Sequence, residues 1–244
     1  VIPGPAAPNP SIASSILSPA LALLLKEGRP MSRIVETTVF HLDELSDGAK
    51  VQARAWYRET DACDDWHECV FDDFEAVCAI LGIRLKTRSV RLFGGGTRQE
   101  PCIWFSGFAS QGGGACFESA YRFATGACKV IRAHAPEDSE LHRIADALQA
   151  IQRRNFYQLR ADTTQRGRGC HEYSMTIAVE RDSPTNQEMT VDAEDTVTEA
   201  LRDLARWLYR QLEREYEFQT SEEVTDEAIL ANEYTFTGDG RRFG

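Results

Sequence analysis

Three side chains in this chain are of the types needed for nucleophilic catalysis: Gln111, Cys116 and His171. A thiol attacks as thiolate, so it needs a base such as histidine to take its proton. The resulting oxyanion needs a polar donor such as glutamine. The spacing fits no local signature of a cysteine hydrolase, so Cys116 reads equally as a buried thiol beside a structural turn. Cys63, His67 and Cys69 could offer a cation three ligands. Their spacing is irregular and no Cys-x-x-Cys pair accompanies them, so the expectation is no metal and no other cofactor. Gly94-Gly95-Gly96-Thr97-Arg98 lacks the Gly-Lys-Ser/Thr ending of a phosphate loop.

Around Cys116 lies the stretch from Ile103 to Glu118, which is apolar, then glycine-rich, then apolar again. Ile103 to Phe108 reads as a buried strand that runs into a turn at Gly112, Gly113 and Gly114. A loop held by a rigid strand is well placed for recognition, so Ser106, Ser110, Gln111, Gly112, Gly113 and Gly114 form the candidate binding surface. A second surface is acidic. From Glu59 to Ile83 there are eight acidic residues and no lysine or arginine, among them Asp61, Asp64, Asp65, Glu68, Asp72 and Asp73. Such a segment is either a solvated face or a dock for a basic partner.

The elements that would position these groups follow from periodicity. Ser32 to Leu42 alternates like a strand, and Ser46 can cap a helix carrying Ala49, Ala53 and Trp56. Val70, Phe71, Phe74, Val77, Cys78 and Leu81 make one apolar helical stripe that Gly82 stops. Ile83 to Phe93 reads as a strand with alternating basic residues. Phe117 to Phe123 fits strand or helix. Ala127 to Ala135 and the stripe Leu141, Ile144, Ala145, Leu148, Ile151 are helical. Phe156 to Thr164 and His171 to Arg181 make a hairpin around Gln165-Arg166-Gly167-Arg168-Gly169. With Arg153, Arg154 and Arg160, its Arg166 and Arg168 make this the most basic region and a candidate nucleic-acid contact. Ala193 to Glu217 is the longest helix, Thr220 and Glu223 suit a capping box for a last one, and Tyr234 to Phe236 suits a short strand. This mixed order predicts an α+β fold with a largely antiparallel sheet packed with amphipathic helices, from Met31 to Gly244 as a single domain.

Composition narrows the function classes. The formal net charge is −11, which disfavours a general nucleic-acid binder. No apolar run is long enough for a membrane span. Seven cysteines at irregular spacings suit free thiols in a reducing cytoplasm, with Cys78 and Cys128 acting as small hydrophobes. Residues 1–30 differ from the rest: they hold six of the nine prolines and no aromatic residue. Codons for Lys26-Glu27-Gly28 can spell a bacterial ribosome-binding sequence just upstream of Met31. The expectation is therefore an extension that is disordered or not natively translated.

Several segments together resemble one family. They are Thr38-Val39-Phe40-His41-Leu42-Asp43-Glu44-Leu45-Ser46-Asp47, Phe105-Ser106-Gly107-Phe108-Ala109-Ser110-Gln111-Gly112, Ala115-Cys116-Phe117-Glu118, Glu140-Leu141-His142-Arg143-Ile144-Ala145, Asn155-Phe156-Tyr157, His171-Glu172-Tyr173, Ala205-Arg206-Trp207-Leu208-Tyr209 and Ala231-Asn232-Glu233-Tyr234. They look like phage and prophage proteins labelled "antitoxin of toxin-antitoxin stability system". That pattern would place an aromatic residue at Ala109 and an acidic one at Gly113. The resemblance implies a phage-borne cytoplasmic protein of a bacterial host cell. The leading expectation is a non-enzymatic, antitoxin-like interaction protein that binds a toxin or another host or phage protein. The alternatives are a cysteine-dependent hydrolase built on Cys116 and His171, and a nucleic-acid accessory protein using the arginine-rich hairpin.

Overall fold

The computed structural model describes residues 36–60, 65–108 and 112–244. The first half runs α1 (Asp47–Thr60), α2 (Glu68–Leu81), β1 (Ile83–Leu85), β2 (Thr87–Arg91), β3 (Thr97–Pro101), β4 (Ile103–Phe105), β5 (Ala115–Phe117) and β6 (Ser119–Arg122). The second half runs α3 (Ala127–His134), α4 (Ser139–Arg154), β7 (Leu159–Gln165), β8 (Met175–Arg181), α5 (Ala193–Gln219) and α6 (Glu222–Ala231). The fold is α+β, and every strand pair among the described residues is antiparallel. Contacts divide the chain after Thr38, and Val39–Gly244 is the larger unit. The expected extension, residues 1–30, lies outside the described residues.

The basic strand expected over Ile83 to Phe93 is two strands in two sheets. β1 joins the four-stranded sheet β1-β6-β7-β8, while β2 pairs only with β3. The break falls at Lys86, and the facing chains break at Cys102 and Glu118. These three residues close a cycle of backbone hydrogen bonds: Lys86 N–H donates to Glu118 at 2.8 Å, Cys102 N–H to Lys86 at 2.8 Å, and Glu118 N–H to Cys102 at 2.9 Å. At this junction each strand exchanges its partner, so β2–β3 leaves the sheet as a separate hairpin and β4–β5 continues inward.

The main core lies between the four-stranded sheet and helices α2 to α5. Phe74, Val77 and Leu81 of α2, Ile144 and Leu148 of α4, and Val197, Leu201, Leu204 and Leu208 of α5 are all buried in it. Gly82 ends α2 in the left-handed region (φ 80°), as its sequence predicts. Asp138 caps α4 by accepting from the N–H groups of Glu140 and Leu141, and its second oxygen accepts from the Trp207 indole at 2.6 Å. A second, smaller core joins the two ends of the described chain. In it Leu42, Leu45, Ala49 and Ala53 pack with Ile229 and Phe236.

Other boundaries also differ from expectation. Of the strand expected over Ser32 to Leu42, residues 32–35 lie outside the described residues and only Phe40 makes a bridge, to Phe236. Alternation there has no neighbouring strand to satisfy, so neither that segment nor Tyr234 to Phe236 extends into a ladder. Phe117 to Phe123 resolves as strand, ending one and supplying the other of β5 and β6. Phe156 and Tyr157 have φ of 56° and 61° and close the turn after α4, so β7 starts only at Leu159. His171 opens a 3₁₀ turn (Glu172–Ser174), and β8 starts at Met175. Ser221, not Thr220, caps the last helix, its hydroxyl accepting from Val224 N–H. Thr220 instead ends α5 and donates its hydroxyl to the Tyr216 carbonyl at 2.7 Å.

Candidate functional site

Cys116 lies on β5 with 0% of its surface exposed. Burial pushes its thiol up to about 12, only partly offset by the Ser174 hydroxyl. His171 does not act on it: the imidazole Nδ1 accepts from Tyr173 N–H at 3.1 Å, and Nε2 lies toward Gly169. Gln111 lies outside the described residues, as does Cys63 of the possible metal cluster. A thiol with no base on it and no route to water remains protonated, so the hydrolase arrangement of Cys116 and His171 does not form. Among the described residues no group of three or more His, Cys, Asp or Glu side chains is placed to hold a metal ion.

The glycine loop is knitted at its base rather than left open. Ser106 N–H donates to the Gly114 carbonyl at 3.0 Å, and Gly114 N–H donates to the Ser106 hydroxyl at 2.9 Å. A Cβ at Gly114 would stand 2.7 Å from the His171 Cβ and 2.8 Å from its Cα, so the chain needs glycine there for close approach. Gly114 is buried and Ser106 half-buried, and both spend polar groups within the fold, so Gly114 is not a surface group. Gly112 (φ 92°) is exposed and Gly113 is half-buried, while Ser110 lies outside the described residues. The strand end before the loop is held by rings: Phe108 lies 5.3 Å from Tyr209 and 5.2 Å from Tyr216, and Trp66 lies 5.7 Å from Phe105.

On the other side of β4 the hairpin stands away from α2, and a cleft of about 450 Å³ opens between them. Glu68, Asp72 and Glu75 line the helix wall; Phe71, Trp104 and Phe105 contribute apolar surface; Arg88, Arg98 and Glu100 line the hairpin wall. The helix spacing of four and then three residues puts those three carboxylates on one face. Val90, Arg88, Arg98 and Glu100 share one face of the hairpin through the pairs Val90↔Arg98 and Arg88↔Glu100. Arg98 meets Glu100 at 3.0 Å and Glu68 at 3.9 Å, and Arg88 reaches Glu100 at 3.4 Å. Glu100 first, then Glu68 and Asp65, hold the Arg98 guanidinium above its usual range. The Arg88 guanidinium also lies 5.6 Å from the centre of the Trp104 ring. Asp72 and Glu75 have no hydrogen bond or ion pair among the described residues.

Two of the acidic residues named from the sequence, Glu68 and Asp72, therefore meet in the cleft. Asp73 faces away and pairs with His134 at 3.0 Å. Asp65 is exposed just before α2, and Asp61 and Asp64 lie outside the described residues. Sequence reasoning missed Arg88, Arg98, Glu100 and Trp104. The alternation of basic residues after Gly82 was visible, but the change of strand partner at Lys86 that turns them toward α2 was not. In the expected arginine patch, Arg154 pairs with Asp192 at 2.6 Å and Arg160 with Glu180 at 2.9 Å, so part of it is neutralised internally.

No helix among the described residues is long and apolar enough to cross a membrane. Comparison with curated proteins returned no match, and comparison with solved structures returned none. One family profile, described as a domain of unknown function (DUF8835), matches residues 66–222. That range holds the cleft and the whole main core, and it spans more than half of the 244 residues, so the chain belongs to the DUF8835 family.

Proposed function

We propose that this chain is a non-enzymatic interaction protein that grips a basic segment of a partner protein in the cleft between α2 and the β2–β3 hairpin. The observation that carries this reading is the pairing of unmatched carboxylates with aromatic surface. Asp72 and Glu75 stand free among the described residues, opposite Trp104, in a cleft large enough for a long side chain. An arginine or lysine would bury its stem on the rings and set its charge against the acids. The chain's own Arg88 already lies over Trp104 in this way. The resemblance to prophage proteins labelled as antitoxins supports a toxin, or another host or phage protein, inside the bacterial cell as that partner.

The test is capture from nuclease-treated host lysate, comparing the native chain with Asp72→Lys and Glu75→Lys. Both positions are exposed on a helix, so the fold tolerates the reversals. One protein species should be captured by the native chain and lost from both variants, and its association should slow as salt rises. Capture that survives both reversals, or that disappears with nuclease alone, refutes the reading.

A further inference from the structure

Among the described residues, helices cover one face of the four-stranded sheet and leave the other open. That face buries Ile83, Tyr121, Leu159, Ala161 and Val179. Because side chains alternate, the opposite face carries Arg84, Ala120, Arg122, Arg160, Asp162, Ala178 and Glu180. Register sets them in two rows. One reads Arg84, Ala120, Asp162, Ala178 and the other Arg122, Arg160, Glu180. The methyl side chains of Ala120 and Ala178 leave a depression of about 280 Å³, edged by Arg84, Arg122 and Arg160.

The charges on this face do not cancel locally. Asp162 is taken by Lys86 at 2.9 Å, and Glu180 and Asp182 are both taken by Arg160, at 2.9 and 3.6 Å. Arg84 and Arg122 are left exposed, with no hydrogen bond or ion pair among the described residues. Arg122 also stands directly opposite Arg160 across the β6–β7 ladder. The charge of Arg160 is offset by Glu180 and Asp182, while Arg122 has no such partner among the described residues.

We propose that this depression binds the phosphate group of a small phosphorylated ligand. The planar guanidinium groups of Arg84 and Arg122 each offer paired N–H donors that match phosphate oxygens, while Arg160 at the rim stays with Glu180 and Asp182. A small ligand fits better than a nucleic-acid strand. The cationic area is one focus fringed by Asp162, Glu180 and Asp182, and a chain of net charge −11 gives a polyanion no general attraction.

Calorimetric titration of the full chain at low ionic strength tests this, with inorganic phosphate and ribose 5-phosphate as probes. Saturable binding at millimolar concentration or below is expected. Arg84→Gln and Arg122→Gln should each weaken it about tenfold, the loss of one charge-assisted contact. Arg214→Gln, on α5 away from the sheet, should leave it unchanged. Tighter binding of ribose 5-phosphate assigns the site to an organic phosphate ester, and tighter binding of inorganic phosphate assigns it to the free ion. No saturable heat up to about 10 mM of either probe, a range that spans weak millimolar sites, overturns the proposal, as does binding that survives both sheet substitutions. A single-stranded oligonucleotide that binds more tightly than both probes, and is lost from the same two variants, overturns it in favour of nucleic acid. Circular dichroism of each variant must match the native chain, as expected for exposed positions.

Discussion

Whether Cys116 can serve as a nucleophile is measurable by the pH dependence of its alkylation. Its thiol is raised from 9.0 to about 12, chiefly by burial. At pH 8 an ordinary thiol is ionised in about one molecule in ten, and one at 12 in about one in ten thousand. Ionisation alone therefore slows iodoacetamide labelling by about a thousandfold, before any hindrance from the closed core is counted. Cys69 is exposed on the same chain and provides the internal comparison. Native protein labelled at pH 8, digested and mapped by mass spectrometry should show modification at Cys69 and essentially none at Cys116. In denaturant the two should react alike. The same shift sets a direction for stability. The unfolded thiol releases its proton near pH 9 and the folded one only near 12, so unfolding releases a proton in that window. This contribution to stability is complete below pH 9 and declines as pH rises through the window. Labelling of native Cys116 at a rate near that of Cys69 would refute the reasoning and reopen the hydrolase.

Two further predictions concern the frame that holds the cleft and sheet. Asp138→Ala removes a helix cap and leaves the 4%-exposed Trp207 without its acceptor, for a combined cost of about 2–4 kcal/mol in urea unfolding. In a Trp207→Phe background the same change should cost only about 1 kcal/mol, the cap alone; equal costs in the two backgrounds would show that the indole bond contributes nothing. Gly82→Ala places a Cβ 2.1 Å from the Arg122 carbonyl at a φ of 80°. Thermal unfolding should register a loss of about 3 kcal/mol from left-handed strain and crowding, and a loss under about 1 kcal/mol would mean the sheet edge yields freely.

The helices were legible in the sequence because each carries its own evidence. The stripe from Val70 to Leu81 with Gly82 behind it marks α2 without reference to the rest of the chain, and the stripe from Leu141 to Ile151 does the same for α4. The β7–β8 hairpin was legible for a similar reason, its glycine-rich turn being local. The sheet junction was not. Lys86, Cys102 and Glu118 are unremarkable in sequence, and their cycle of hydrogen bonds exists only once three distant segments meet. The cleft depends on that junction, so it was half visible. The acidic wall lies on one helix and could be read from spacing. The opposing Arg88, Arg98 and Trp104 are aimed by register alone. The glycine stretch misled for a related reason. Three glycines signalled close approach correctly, but what approaches Gly114 is the chain's own His171.

The two cores lead to a prediction about the ends of the chain. Every buried residue of the main core falls between Val70 and Leu212, within the family's range of 66–222. Every buried residue of the smaller core falls outside that range, in Leu42 to Ala53 and in Ile229 and Phe236. Arg54 clamps the ends together, reaching Asp226 through two 2.6 Å bonds and Glu222 through another. Each end thus covers the other's apolar surface. Removing residues 223–244 alone would strip the cover from Leu42 and Leu45, each a loss of about 1.5–3 kcal/mol of burial, and would leave Arg54 without Asp226. Removing both ends deletes the exposed surface along with its cover. The chain trimmed to 66–222 should therefore stay monomeric and unfold cooperatively, while the chain lacking only 223–244 should aggregate. Size-exclusion chromatography and thermal unfolding of the two forms decide it. If the trimmed form aggregates and the singly shortened form stays monomeric, the smaller core is a required part of the fold rather than an addition to the family's domain.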